Sequence, residues 1–305
     1  MSKELQKNVT PAEAVNTIER VVGTFPGYRR AHTKGIAFDA IFEPSGEASN
    51  WTRALHLQRD PVPAVVRFSH FWPTPDPNEL LVPIKGMAVQ FRLPDGSFTN
   101  LTMANIPVFI TKTPEAFVRL LQVLTREPLS LLEKLEVLRR MPEFSTLPDL
   151  LRSLKPPISF ATECYHSLHS FYLVSHEGER QAVRFTWEPL LSEGLKERKG
   201  FGPPTNLESE LRRRLETGHQ IRFRLILQLA APEDNIDDPS IKWPKERKTV
   251  DAGLLTIKSI REESADRMVF DPTVMTDGIE NSADPILHFR SPVYGVSANR
   301  RIHGR

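Results

Sequence analysis

Residues 36–42 read with period two, Phe38, Ala40 and Phe42 sharing one face and Asp39 lying on the other. That period belongs to a half-buried β-strand. Shorter apolar runs at 64–68, 87–93 and 98–103 predict three more strands. Asp95-Gly96 between the last two is the signal for a tight hairpin turn. A second set follows later: 171–175 and 182–187 across a glycine-containing turn, then 220–229 and 253–260. Elsewhere the period changes to 3.6. Residues 11–24 place Val15, Ile18, Val21 and Val22 on one stripe, with Thr10 as N-cap and Pro11 in the first turn. A helical block runs from about 114 to about 155, opened by Thr113-Pro114 and punctuated by Pro128, Pro142, Pro148 and Pro156-Pro157. A charged helix near 206–216 carries Arg212-Arg213-Arg214, which reads as a solvated face.

Four strands, a helical block and four more strands make an α+β chain with no repeat of short period. Eight mostly antiparallel strands of this length suit a closed barrel, which leaves no exposed edge. The whole chain, 1–305, is expected to form one domain, with a helical insertion at about 114–155 and a wrapping segment at about 261–305. After Ile260 the chain is irregular and rich in proline until a short final segment at 294–302. A connection of about 30 residues without periodicity usually carries function or is disordered.

Composition narrows the function classes. Lys plus Arg number 40 against 38 for Asp plus Glu, a net charge of +2, so neither nucleic acid nor an anionic membrane surface has an electrostatic claim. The single cysteine, Cys164, excludes an intrachain disulfide and any iron–sulfur cluster or multi-cysteine metal site built from one chain. No stretch approaches 18 apolar residues, so no membrane span is expected. The N-terminus lacks a signal-type apolar run, which leaves a cytoplasmic location as the default.

Read alone, the polar residues say little. Arg290 and Tyr294 stand four apart and would meet on one helix face, which usually means a surface cation–aromatic contact. His32 lies between arginines and a lysine, as a solvated loop residue would. Arg67 in a strand reads as an outward charge, and Asn105 as a turn residue. His166 and His169 are spaced like metal ligands, but no third ligand stands out, and both read as ordinary residues.

Longer motifs change this. Residues 270–294 read Phe-Asp-Pro, then Gly-Ile-Glu-Asn-Ser-Ala-Asp, then Leu, Arg290 and Tyr294. This segment resembles the haem-ligand region of catalases at every patterned position. Arg29-Arg30-Ala31-His32-Thr33-Lys34-Gly35 resembles their distal-histidine segment, Val66-Arg67-Phe68-Ser69 a barrel strand, and Lys85–Phe91 the next strand. Asn105-Ile106-Pro107-Val108-Phe109 resembles the distal-asparagine segment, and Trp243-Pro244 with 250–257 the last barrel strand. The matches keep their order over about residues 20–302.

The resemblance implies an eight-stranded catalase-type barrel with helical insertions and a C-terminal haem-ligand helix. It implies haem b held through Tyr294 as a phenolate. A free tyrosine ionises near pH 10, so holding one ionised at neutral pH needs roughly 4 kcal/mol of help. Iron and Arg290 would supply it. The anionic ligand favours high-valent iron. The resemblance further implies His32 as the distal acid–base group, Ser69 as its hydrogen-bond partner and Asn105 as a donor to the peroxide. Arg29, Arg67 and Arg301 would hold the propionates, and Phe117 and Phe270 would pack on the porphyrin. The chain ends eleven residues after Tyr294, as in the minimal, peroxidase-like branch of the family. That branch implies a haem-dependent peroxidase acting on organic hydroperoxides and hydrogen peroxide, with weak catalase activity and a small organic reductant. Allene-oxide-synthase-like rearrangement is the alternative, although Ala31 stands where that group carries threonine; non-catalytic haem binding is another. A monomer or homodimer is implied, without a nicotinamide cofactor. Lys85 for the family's arginine, Ala298 for its histidine and an altered 68–85 connection depart from the pattern.

Overall fold

Among the described residues, ten strands form one antiparallel sheet that closes on itself. They are β1 (Gly35–Pro44), β2 (Val62–His70), β3 (Lys85–Arg92), β4 (Phe98–Ala104), β5 (Tyr165–His166), β6 (Phe171–Val174), β7 (Arg180–Pro189), β8 (Arg222–Leu229), β9 (Thr249–Ile260) and β10 (Ile279–Asn281). The ring runs β7-β5-β4-β3-β2-β1-β9-β8 and is shut by the β7–β8 pairing, so eight strands make the barrel. The computed structural model describes residues 8–70, 84–144, 147–148, 150, 159–191, 207–263 and 265–304.

The interior is a packed core. On β1, Ile36, Phe38, Ala40 and Phe42 are buried and the residues between them half-buried, the period-two pattern of a strand with one face in the core. Phe68, Phe91, Tyr165, Phe185, Trp187 and Phe223 join Phe38 and Phe42 inside. Phe42 meets Phe91 and Trp187 edge-on, with ring centroids 5.3 and 5.9 Å apart, a favoured aromatic geometry. The short turn Leu55–Leu57 tucks His56 onto the Phe91 ring.

Two strands escape the periodicity. The eighth ring position is split, with β5 and β6 both pairing to β7. His166 faces Thr186 and Phe171 faces Val183, so residues 167–170 oppose only 184–185. This is a bulge, and it re-aims side chains. β10 lies in the segment that looks irregular in sequence and pairs with β6.

Among the described residues there are five α-helices: α1 (Pro11–Val22), α2 (Pro114–Leu124), α3 (Leu131–Arg139), α4 (Leu207–Glu216) and α5 (Pro285–Ile302). At the start of α1, the Thr10 hydroxyl accepts from the Glu13 N–H and the Glu13 carboxylate accepts from the Thr10 N–H, a capping box. The α4 arginines lie on an ion-paired helix face, Arg212 with Glu208 and Arg214 with Glu210. The final helix is twice as long as the expected segment 294–302. Asp284 caps it, Pro285 fits its first turn and Pro292 is tolerated inside. The 71–83 connection and residues 145–146, 149 and 151–155 of the expected helical block lie outside the described residues. No described helix is long and apolar enough to cross a membrane.

Candidate active site

The site lies on the outer face of the barrel. Successive strand residues point to opposite faces. Phe68, Met87 and Met103 belong to the interior cluster, so their neighbours Arg67 and Ser69, Gly86 and Ala88, Thr102 and Ala104 face outward. These outward residues share register across β2, β3 and β4: Arg67 with Ala88 and Thr102, Ser69 with Gly86 and Ala104. With α1, α2, α5 and the 268–270 segment they wall a mostly apolar cavity. Its open space, mouth included, is about 1560 Å³.

His32 rests on the sheet wall. Its Nδ1 lies 3.0 Å from Ser69 Oγ, and Arg67 donates to its backbone carbonyl at 3.0 Å. Gly86 makes room for the ring, because a Cβ there would lie 2.8 Å from His32 Cε1. Burial, then the charges of Arg67 and Arg290, push the imidazole down to about 3, so it is neutral at physiological pH. Its backbone is left-handed, φ 54°. Among the described residues the only other non-glycine with positive φ is Leu168, at 65°, and it too lines the cavity. Such strain costs about 1–3 kcal/mol per residue and concentrates at functional sites.

Tyr294 reaches in from α5. Arg290, one turn earlier, donates to its Oη at 2.8 Å from Nη2 and to His169 Nε2 at 2.9 Å from Nη1. An arginine only donates, so Nε2 carries the lone pair and Nδ1 carries the hydrogen. That Nδ1–H donates to Asp284 Oδ2 at 2.6 Å. The other carboxylate oxygen of Asp284 caps α5 through the Ile286 and Leu287 N–H groups. Burial outweighs Asp284 and drives His169 down to about 4, consistent with this neutral tautomer. One chain of hydrogen bonds therefore runs from the helix cap to the phenol. His169 belongs to the β5–β6 bulge, and reading it from sequence as an ordinary residue is corrected here. The spacing of His166 and His169 gave no hint of this role. The signal was Asp284-Pro285, a helix cap whose second oxygen needs a donor.

Arg29, Arg67 and Arg301 line the same cavity, as do Arg30 and Arg290. Arg29 is held by Asp266 and by the Ala265 and Met268 carbonyls. Arg67 is buried and donates through Nη2 to the carbonyls of His32 and Thr33. Arg301 is buried, and its Nη2 has no partner among the described residues. Burial first, then the charge of Arg29, acts against the cationic form of Arg67; burial and Arg301 act against Arg29. Clustered buried cations with open donors are costly unless anions join them. A flat apolar body with two carboxylates answers that need, which is the chemistry of haem propionates. Phe117 and Phe270 also line the cavity, as a porphyrin requires. The residues present fit haem.

Asn105 does not take its expected place. Its Oδ1 accepts from the Lys85 N–H at 2.8 Å and its Nδ2 donates to Glu163 at 3.2 Å. The preceding residue, Ala104, faces the cavity instead. The cause is strand parity: Ala104 ends β4 in the outward row, and the next residue turns away. The expectation that Asn105 donates to a peroxide is therefore corrected. Among the described residues no asparagine or glutamine lines the cavity.

Barrel, cavity and arginine cradle together describe a protein built to hold a large apolar group bearing carboxylates. The Catalase family model matches residues 19–305, and the chain belongs to the catalase family of enzymes. A catalase-related peroxidase of Mycolicibacterium paratuberculosis is 35% identical over 302 residues, covering 96% of this chain and 95% of the relative. Another, from Synechococcus elongatus, is 31% identical and covers 97% and 90%. Among solved structures, a fungal catalase and a bacterial catalase each superpose with a TM-score of 0.76, at 18% and 19% identity. At that identity they show the fold. The chain covers 60% and 63% of those two catalases. Family membership implies a haem cofactor.

Proposed function

We propose that this protein is a haem-dependent peroxidase that reduces organic hydroperoxides and hydrogen peroxide, with weak catalase activity. One observation carries the reading: Tyr294 and a neutral His32 enter one arginine-cradled cavity from its helix wall and its sheet wall. Haem b is the group this cavity would hold, through Tyr294 at the iron and Arg29, Arg67 and Arg301 at the propionates. When bound, haem supplies the redox centre that stores the oxidising equivalents of the peroxide.

The side chains do the rest. Arg290 donates to Tyr294 Oη and so favours the phenolate. His169 and Asp284 hold Arg290 in that orientation. With Nδ1–H donating to Ser69 Oγ, His32 keeps its Nε2 lone pair for a proton. It takes that proton from the near oxygen of the hydroperoxide and returns it to the departing oxygen. In the net reaction a hydroperoxide, two electrons and two protons give an alcohol and water. The electrons come from a small organic reductant, and the apolar walls suit the carbon chain of an organic peroxide. The names of both peroxidase relatives support the reading.

The test is to supply haem, record the absorption spectrum, and mix the protein with hydrogen peroxide, cumene hydroperoxide and a fatty acid hydroperoxide, with and without a dye reductant. Reductant-dependent turnover of the organic peroxides with little oxygen release is the expected result. Fast oxygen release without reductant, or reductant-free isomerisation of the fatty acid hydroperoxide, contradicts it.

A further inference from the structure

Ser69, Gly86 and Ala104 form one outward row across β2, β3 and β4. The first bonds His32 and the second lies under its ring. The third is one strand further on, about 4.8 Å away along the row, and lines the cavity. A side chain at 104 thus borders the space beside the imidazole. Ala104 packs with Ile106 and Leu168, and Ile84 closes against them. All four line the cavity. The wall next to the acid–base group is therefore hydrocarbon, with no carboxamide among the described residues. Leu168 helps form it despite its left-handed backbone.

We propose that Ala104 is the specificity-determining position of this wall, and that Ala104, Ile84, Ile106 and Leu168 seat the hydrocarbon group of an alkyl or aryl hydroperoxide. The proposal rests on the haem peroxidase reading above. An apolar seat gains by covering an alkyl group and gives nothing to hydrogen peroxide. Charge developing on the departing oxygen meets protonated His32, and the described residues of this wall add no second donor. A second, preorganised donor is typically worth about 10²–10³-fold in rate. Small peroxides, which depend most on polar contacts, lose most by its absence.

Two substitutions separate these effects. Ala104→Asn places a carboxamide in the row beside His32, and Ala104→Val narrows the seat by two carbons in a residue that strands favour. Haem-loaded proteins are compared by kcat/KM for hydrogen peroxide and cumene hydroperoxide, and by spectral titration with cyanide and with 4-phenylimidazole. Ala104→Asn raises the hydrogen peroxide to cumene hydroperoxide ratio tenfold or more. Ala104→Val weakens 4-phenylimidazole tenfold or more and leaves cyanide within threefold. If both variants leave the ratio and the two affinities within threefold of the parent, the seat is wrong while the haem reading stands. If cyanide and 4-phenylimidazole weaken together, Ala104 is a structural residue and the proposal fails. If the unsubstituted protein binds no haem or turns over no peroxide, the haem reading fails and takes the seat with it.

Discussion

Strands β2 and β8 lie in the same barrel wall and differ in what covers their outer faces. On β8, Phe223, Leu225, Leu227 and Leu229 are buried, while the residues between them are half-buried or exposed. That is an antiparallel strand with one face in water. On β2 every residue from Ala64 to His70 is buried, including Arg67 and Ser69. Its outer face is covered by helices and by the 265–270 segment, because the cavity lies there. In sequence the two strands look alike, and Arg67 looks no different from Arg224. The lesson is that a polar residue on a doubly buried strand needs a reason, since an unpaired buried charge is costly. Here the reason is a site.

The sharpest way to break this comparison is acid. Burial lowers His32 and His56 to about 3, and His166 and His169 to about 4. The folded form of each binds fewer protons than the unfolded chain between those values and about 6.5. Stability is therefore complete above about pH 6.5 and falls as pH drops below it. At pH 5 the loss approaches about 2 kcal/mol per histidine. Four such losses rival the whole stability of a typical domain, about 5–15 kcal/mol. Urea unfolding between pH 7.5 and 5 should show a steep decline. A midpoint that stays flat over that range contradicts the account.

Next in size is Gly86→Val. It drives carbon into His32 and Ser69, so peroxide turnover should fall about 10²-fold or more, the scale of losing a general acid–base group. Stability should fall by about 1–3 kcal/mol, as in other overpacked sites. Unchanged turnover would mean that His32 does not work from this position. His169→Leu comes third. It leaves Arg290 Nη1 and Asp284 Oδ2 without their partner, and each lost buried contact costs about 1–3 kcal/mol. The haem spectrum should shift as well, because Arg290 is no longer held against Tyr294; a stability loss with an unchanged spectrum would make His169 structural only. Smallest is Arg224→Ala on β8. Arg224 and its partner Asp251 are about half exposed, and the change should stay within about 0.5 kcal/mol with turnover intact. A larger effect would show that the open side of the barrel also carries function.

Much of this was legible beforehand, for physical reasons. Period two along 36–42 gives β1 because one of its faces is fully buried and the other half-buried. Asp95-Gly96 marks the β3–β4 hairpin because glycine takes the positive φ, here 83°. Arg290 and Tyr294 meet because they stand one helical turn apart. What was hidden depends on distant parts of the chain. β5 has two residues and exists through its pairing with β7, so no local period reveals it. His169 becomes part of the proximal chain only when a bulge turns it toward Asp284, 115 residues away. Asn105 failed for the opposite reason: the motif was right to within one residue, and strand parity turned the side chain from the cavity. A one-residue step exchanges the two faces of a strand. Sequence resemblance tolerates that step and catalysis does not.

The central claim is that Tyr294 reaches the iron of a haem lying in the outer-face cavity. Its most direct test is the absorption spectrum of the haem-loaded protein beside that of Tyr294→Phe, which removes one oxygen atom and keeps the ring. The account predicts that the substitution abolishes stable haem binding or visibly shifts the iron–ligand bands. A Tyr294→Phe protein with unchanged haem affinity and an unchanged spectrum would contradict it.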